Sequence, residues 1–164
     1  MDLNNLNDLY IEQLRDLYDA EDQLCEALPK MKEDAHHPQL LAAIDHHLQE
    51  TYQHKARLEK VFESLGIKPG GESSRSMRGL IKDSRHVSHS AGDPAAVDAG
   101  IIAQLQRIEH YEIAGYGCVA TYAQQLGRQA DMQLLQQTLA EEKHADSKLN
   151  EIAVHVINPQ AQKG

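Results

Sequence analysis

The chain has 164 residues, one domain's worth, with 41% apolar residues, only 4% aromatics and no Trp. Its formal charge of −9 disfavours a phosphate-backbone partner, and no apolar run reaches the ~20 residues of a bilayer span. Nucleic-acid and membrane partners are therefore not expected. The opening residues, Met1-Asp2-Leu3-Asn4-Asn5, lack the basic and apolar regions of a signal peptide, so a cytoplasmic location is expected. Two cysteines, Cys25 and Cys118, make no disulfide framework.

Five segments read as helices. The first spans about Leu3 to Asp34, with Leu14, Leu17, Leu24 and Leu28 at helical spacing. Pro29 is expected to kink it or end its regular part. His36-His37-Pro38 is a break, and Pro38 opens the second helix, which runs to Leu65 before Gly66. Pro69-Gly70-Gly71 and the polar stretch after it form a long connection carrying a short helix from Met77 to about Ser88. Asp93-Pro94 is a cap and first-turn pair, and the third long helix runs from Pro94 to Leu126. The fourth runs from about Arg128 to Val156, ahead of Asn158-Pro159. Four long helices, with one long crossover between the second and third, predict an all-α, ferritin-like four-helix bundle over residues 1–158 and a polar tail over 159–164.

A bundle helix turns its apolar stripe inward, so charges on that stripe are the informative residues. At 100° per residue, Glu21 falls mid-stripe in the first helix. Glu50 and His54 fall on the second stripe, and Glu109 and Glu112 on the third. Glu142 and Asp146 fall on the fourth, whereas Glu141 and His144, a literal Glu-x-x-His, fall off it toward solvent or a flank. His47 also points inward and is expected to orient Glu50. Tyr18, Tyr111 and Tyr116 lie near these rows.

An ionised carboxylate costs several kcal/mol to bury without a partner. The stripes carry almost no Lys or Arg to offset such a set, and two metal ions are the simplest compensation. Carboxylate and imidazole without thiolate suit iron, with manganese or zinc as alternatives.

The segments Leu17-Tyr18-Asp19-Ala20-Glu21, His47-Leu48-Gln49-Glu50-Thr51, Glu109-His110-Tyr111-Glu112-Ile113-Ala114 and Glu141-Glu142-Lys143 resemble the YciE/YciF family of ferritin-like stress proteins, in order and over nearly the whole chain. The resemblance implies a helical ferritin-like fold, a homodimer and a link to stress. The wider ferritin-like group implies two irons. Glu21 would then be a terminal ligand, Glu50 and Glu142 would bridge or share the metals, and Glu109 and Glu112 would serve from the third helix. The chain departs from the usual pattern where Asp146 stands in place of a second imidazole. Two functions follow: a di-iron protein reacting with oxygen or peroxide, or a structural protein on the same fold without turnover. A DNA-protecting mini-ferritin cage fits the acidic chain less well.

Overall fold

The computed structural model describes residues 3–163. Five long helices account for most of it: α1 (Leu6–Asp34), α2 (Pro38–Leu65), α3 (Arg75–Ser88), α4 (Pro94–Gln125) and α5 (Gln129–Ile152). A π-helical turn, Ala153–Ile157, and a last turn α6, Asn158–Ala161, extend α5. The chain belongs to the all-α class, with α1, α2, α4 and α5 as the bundle and α3 on the crossover packed against α4 and α1. No described helix is long and apolar enough to cross a membrane.

The helix ends follow local chemistry. The Asn5 side chain accepts from the Asp8 amide at 3.0 Å, and Asp93 accepts from the Ala96 amide at 3.1 Å, each satisfying an amide that the first turn leaves unpaired. Pro38 and Pro94 stand where a missing N–H costs nothing. Gly66 and Gly127 end α2 and the α4 segment with φ of 67° and 72°, a region that favours glycine.

One expected boundary holds and one changes. The first helix runs to Asp34 as expected, and Pro29 does not end it. Its surroundings explain this: Leu28, Met31 and Ala35 are all buried, so tertiary packing holds the last turns that the proline alone would weaken. Nor does the last helix stop before Asn158-Pro159. The π turn inserts a residue, and Pro159 then falls in the first turn of α6, where no helical donor is demanded of it. Buried Ile152 and Ile157 show what the detour achieves, since it keeps both on the core side.

One residue ties the α1–α2 link to α4. The Asp98 carboxylate, 1% exposed, accepts from the His36 and His37 amides at 2.9 and 2.7 Å. Ser74 anchors the crossover, because its amide donates to Asp19 at 2.7 Å and its hydroxyl caps α3.

The core is divided along the bundle axis. One apolar cluster gathers Leu24, Leu28, Leu40, Ile44, Ile101 and Leu105. The other gathers Leu14, Leu17, Leu58, Phe62, Tyr116 and Leu135. Between them, at mid-length, every bundle helix contributes buried polar side chains: Glu21, His47, Thr51, His54, Glu109, Glu112, Thr138 and Glu142. Interiors rarely bury so many charges together, and this belt is where the fold must be explained by chemistry rather than packing.

Candidate metal centre

Helical register builds the belt. On α2 the inward line is His47, Thr51, His54 and Leu58, all buried and spaced by three or four residues. On α4 it carries Glu109, Glu112 and Tyr116, and on α5 Thr138 and Glu142. Glu21 arrives from α1, one turn before Leu24.

These side chains form two overlapping groups: His47, Glu109, Glu112 and Glu142, and Glu21, His54 and Glu142. Within each group one ligand-type atom per residue lies within 4.8 Å of all the others. Glu142 belongs to both. The close contacts are His47 Nε2 to Glu109 Oε1 at 3.1 Å, His54 Nδ1 to Glu142 Oε1 at 2.8 Å, and His54 Nδ1 to Glu21 Oε1 at 3.4 Å.

Proximity does not satisfy these groups. Both oxygens of Glu109, Glu112 and Glu142, both nitrogens of His47 and Nδ1 of His54 are buried without a hydrogen bond. They approach one another to ion-pair distance but out of line for hydrogen bonding. Lone pairs converging in this way on a common space are what a cation needs and what a metal-free core avoids. The residues therefore fit a bound metal ion, and the oxygen and imidazole donors are of the kind that iron, manganese or zinc accept.

Electrostatics say the same. Burial, then the Glu142 charge, pushes the Glu109 carboxyl well above its usual range. Glu112 is likewise pushed well up by burial and by Glu142. Burial also raises Glu21. It opposes ionisation of Glu142 too, but there His54 and His47 outweigh it and the carboxyl is lowered. Burial alone would lower His54, but the Glu142 and Glu21 carboxylates close to its Nδ1 raise it to about 11. Burial lowers His47.

Around this set lies a supporting shell. The Tyr116 hydroxyl donates to Glu21 Oε1. His54 Nε2 lies 2.9 Å from Glu141 Oε2. Arg57 in turn holds Glu141 through both guanidinium nitrogens, at 2.5 and 2.9 Å, and also donates to Thr138 at 3.1 Å. A carboxylate on Nε2 leaves Nδ1 of His54 as the nitrogen aimed at the centre.

The seven sequence-predicted ligands separate in the structure. Glu21, His54, Glu109, Glu112 and Glu142 are brought together. Glu50 and Asp146 are not. Glu50 lies about 70° round α2 from the centre of the inward line at the helical period, and its carboxylate sits 3.3 Å from His46. Asp146 leans from α5 toward α4, where Gln106 donates to it at 3.1 Å and His110 lies 3.3 Å away. His47, expected to orient Glu50, instead faces Glu109 and supplies a second inward imidazole. Glu141, read as a flank residue, is a partly exposed flank residue that also reaches His54. That contact joins α2 to α5, so only the fold could reveal it. His144 is exposed, as its phase predicts.

The chain is similar throughout its length to known proteins. It is 38% identical to protein YciF of Escherichia coli K12 over 99% of this chain and 98% of that one. The crystal structure of the E. coli stress protein YciF superposes with a TM-score of 0.91, covering 95% of this chain and 99% of that chain. A Rhodopseudomonas palustris structure, 40% identical, reaches 0.90 over 93% of this chain and 98% of its own. A Xanthomonas campestris protein at 19% identity shares the fold at 0.76, over 97% of this chain and 98% of that one. The family of the domain of unknown function DUF892 matches residues 5–162. A bundle with a helix on its crossover, full-length likeness to YciF and that family match together make this chain a member of the DUF892 family and a homologue of the stress protein YciF.

Proposed function

We propose that the chain holds two metal ions, iron before manganese or zinc, between His47, Glu109, Glu112 and Glu142 on one side and Glu21, His54 and Glu142 on the other. The observation that carries this reading is the set of buried, unpartnered carboxylate and imidazole atoms converging at mid-bundle. A di-iron pair supplies reversible one-electron chemistry toward oxygen or peroxide, which fits the stress-protein description of the E. coli relative. The chain's own part is to hold and orient. Glu142 spans the two positions, Tyr116 fixes Glu21, and Glu141 with Arg57 fixes His54. The two apolar clusters keep bulk water from both ends of the belt.

Elemental analysis of protein purified without chelators, then loaded anaerobically with Fe(II), tests this. Two metals per chain are expected, with oxo-bridge absorbance on oxidation. Glu109→Ala and Glu142→Ala should abolish loading, whereas Glu50→Ala and Asp146→Ala should retain it. Fewer than about one metal per chain would sink the proposal.

One observation favours a second reading. With its pKa raised to about 11, His54 is a cation at neutral pH between Glu21 and Glu142, a partial internal substitute for a metal. On that reading the protein is structural and has no turnover. Peroxide-dependent oxidation of bound iron would exclude it.

The assembly we propose is a homodimer, for which light scattering should give the mass of two chains. A dodecamer would instead favour a cage.

A further inference from the structure

A cavity of about 410 Å³ opens between α2 and α5 and reaches the belt at His47 and Glu109. Small side chains leave the room, with Ala42 and Ala43 on α2 and Ala145 on α5. Away from the belt its floor is apolar and buried, made by Ile44, Leu105, Leu149 and Ile152. Oxygen or peroxide would need far less space.

Polar groups gather at one end. The antiparallel register of α2 and α5, set by His54 on Glu141 and Ser64 on Asp131, puts Lys148 opposite His47. His144 lies one turn before Lys148 on the same rim, exposed and without an ion-pair partner among the described residues. Lys148 itself has only a loose contact with Glu151, at 3.6 Å. Beneath them His47, 5% exposed, has neither ring nitrogen hydrogen-bonded. Both nitrogens are also closed to solvent, so the groups open to a ligand's head at this end are His144 and Lys148. Glu50, also on this rim, has one oxygen 3.3 Å from His46 and turns the other into the interior, where it is buried without a hydrogen bond. From His47 the apolar trough follows α2 back to Gln39, about 12 Å at the helical rise.

We infer that this slot binds a single-chain anionic amphiphile, a medium-chain fatty acid, with its carboxylate between His144 and Lys148 on the rim and its alkyl chain along Ile44, Leu105, Leu149 and Ile152. The slot stands on its own geometry. It does not rest on the proposed di-metal centre.

Calorimetric titration of the full chain, stripped of metal, with decanoate tests the binding. Saturable one-to-one binding is expected, with decyltrimethylammonium, the same chain on a cationic head, weaker by about tenfold or more. Lys148→Glu, an exposed change, should reverse that preference. Ala43→Leu should fill the trough and abolish decanoate binding while the far-UV circular dichroism is unchanged. No saturable binding, or equal binding of the two amphiphiles, would overturn the inference. Failure of the metal centre would appear separately, as failure of the same protein to take up Fe(II) when it is reloaded.

Discussion

His54 makes contacts on both edges of its ring. Nδ1 faces Glu142 and Glu21, and Nε2 faces Glu141, which Arg57 grips with two nitrogens. Such an outer partner fixes which nitrogen is free to bind and in which direction it points. Glu141→Leu removes it while sparing every residue that faces the centre. Metal affinity should fall by about 10- to 100-fold, with full loading recovered at excess metal. Competition against a chelator of known affinity measures this. An unchanged affinity would show that Glu141 serves only to pair Arg57. This was the residue hardest to see in the sequence. Helical phase placed Glu141 on the flank, and it does lie partly exposed there, but its link to His54 spans two helices and depends on Arg57. Helical phase placed His47 inward, where the structure has it. Glu50 lies about 70° from the centre of that line, near enough for the sequence stripe to take it in, and only the fold shows its carboxylate facing His46.

At the level of helices, α1 and α4 approach closely where Gly115 meets Leu17. A Cβ on Gly115 would lie 2.7 Å from Leu17 Cδ2, and Leu17 is only 2% exposed, with no space to swing aside. Gly100 looks similar, with a Cβ 2.5 Å from Val87 Cγ1, but Val87 is half-buried on α3 and can rotate outward. The same substitution should therefore have opposite signs. Gly115→Ala should destabilise by about 1–3 kcal/mol through overpacking. Gly100→Ala should be neutral or stabilise by up to about 1 kcal/mol through helix propensity. Urea unfolding of the two variants distinguishes them, and equal effects would mean that Leu17 is freer than its burial implies. Most helix boundaries were legible because the chain marks them chemically, with Pro38, Gly66, Asp93-Pro94 and Gly127. Where a boundary depends on tertiary packing, as with the π turn into Asn158, local signals pointed the other way. The central glycines of α4 carried no boundary signal, and their role became visible only with the facing helix.

Taken whole, the bundle places a polar belt between two apolar clusters, and its stability should depend on what fills that belt. Without metal, Glu109, Glu112 and Glu21 have raised pKa values, and so does His54, at about 11. Each binds a proton more tightly folded than unfolded, so each contribution weakens as pH rises from its unfolded value through its folded one. Two groups act the other way: Glu142 and His47 are lowered, and stability they lose on acidification returns as pH rises toward their unfolded values. Those opposing contributions are complete by about pH 7, the upper end of an ordinary histidine titration. Between about pH 7 and 8.5 only the raised groups of the belt still titrate, and the metal-free protein should lose thermal stability across that window. Metal binding requires the same groups deprotonated and so strengthens as pH rises. The gap in Tm between metal-loaded and chelator-treated protein should therefore widen from pH 7 to 8.5, with protons released on loading in weakly buffered solution. Differential scanning calorimetry at three or more pH values measures the first, and a pH indicator during titration with Zn(II) the second. A constant gap with no proton release would mean that the belt is stable with its own protons, and would favour the structural reading over the metal centre.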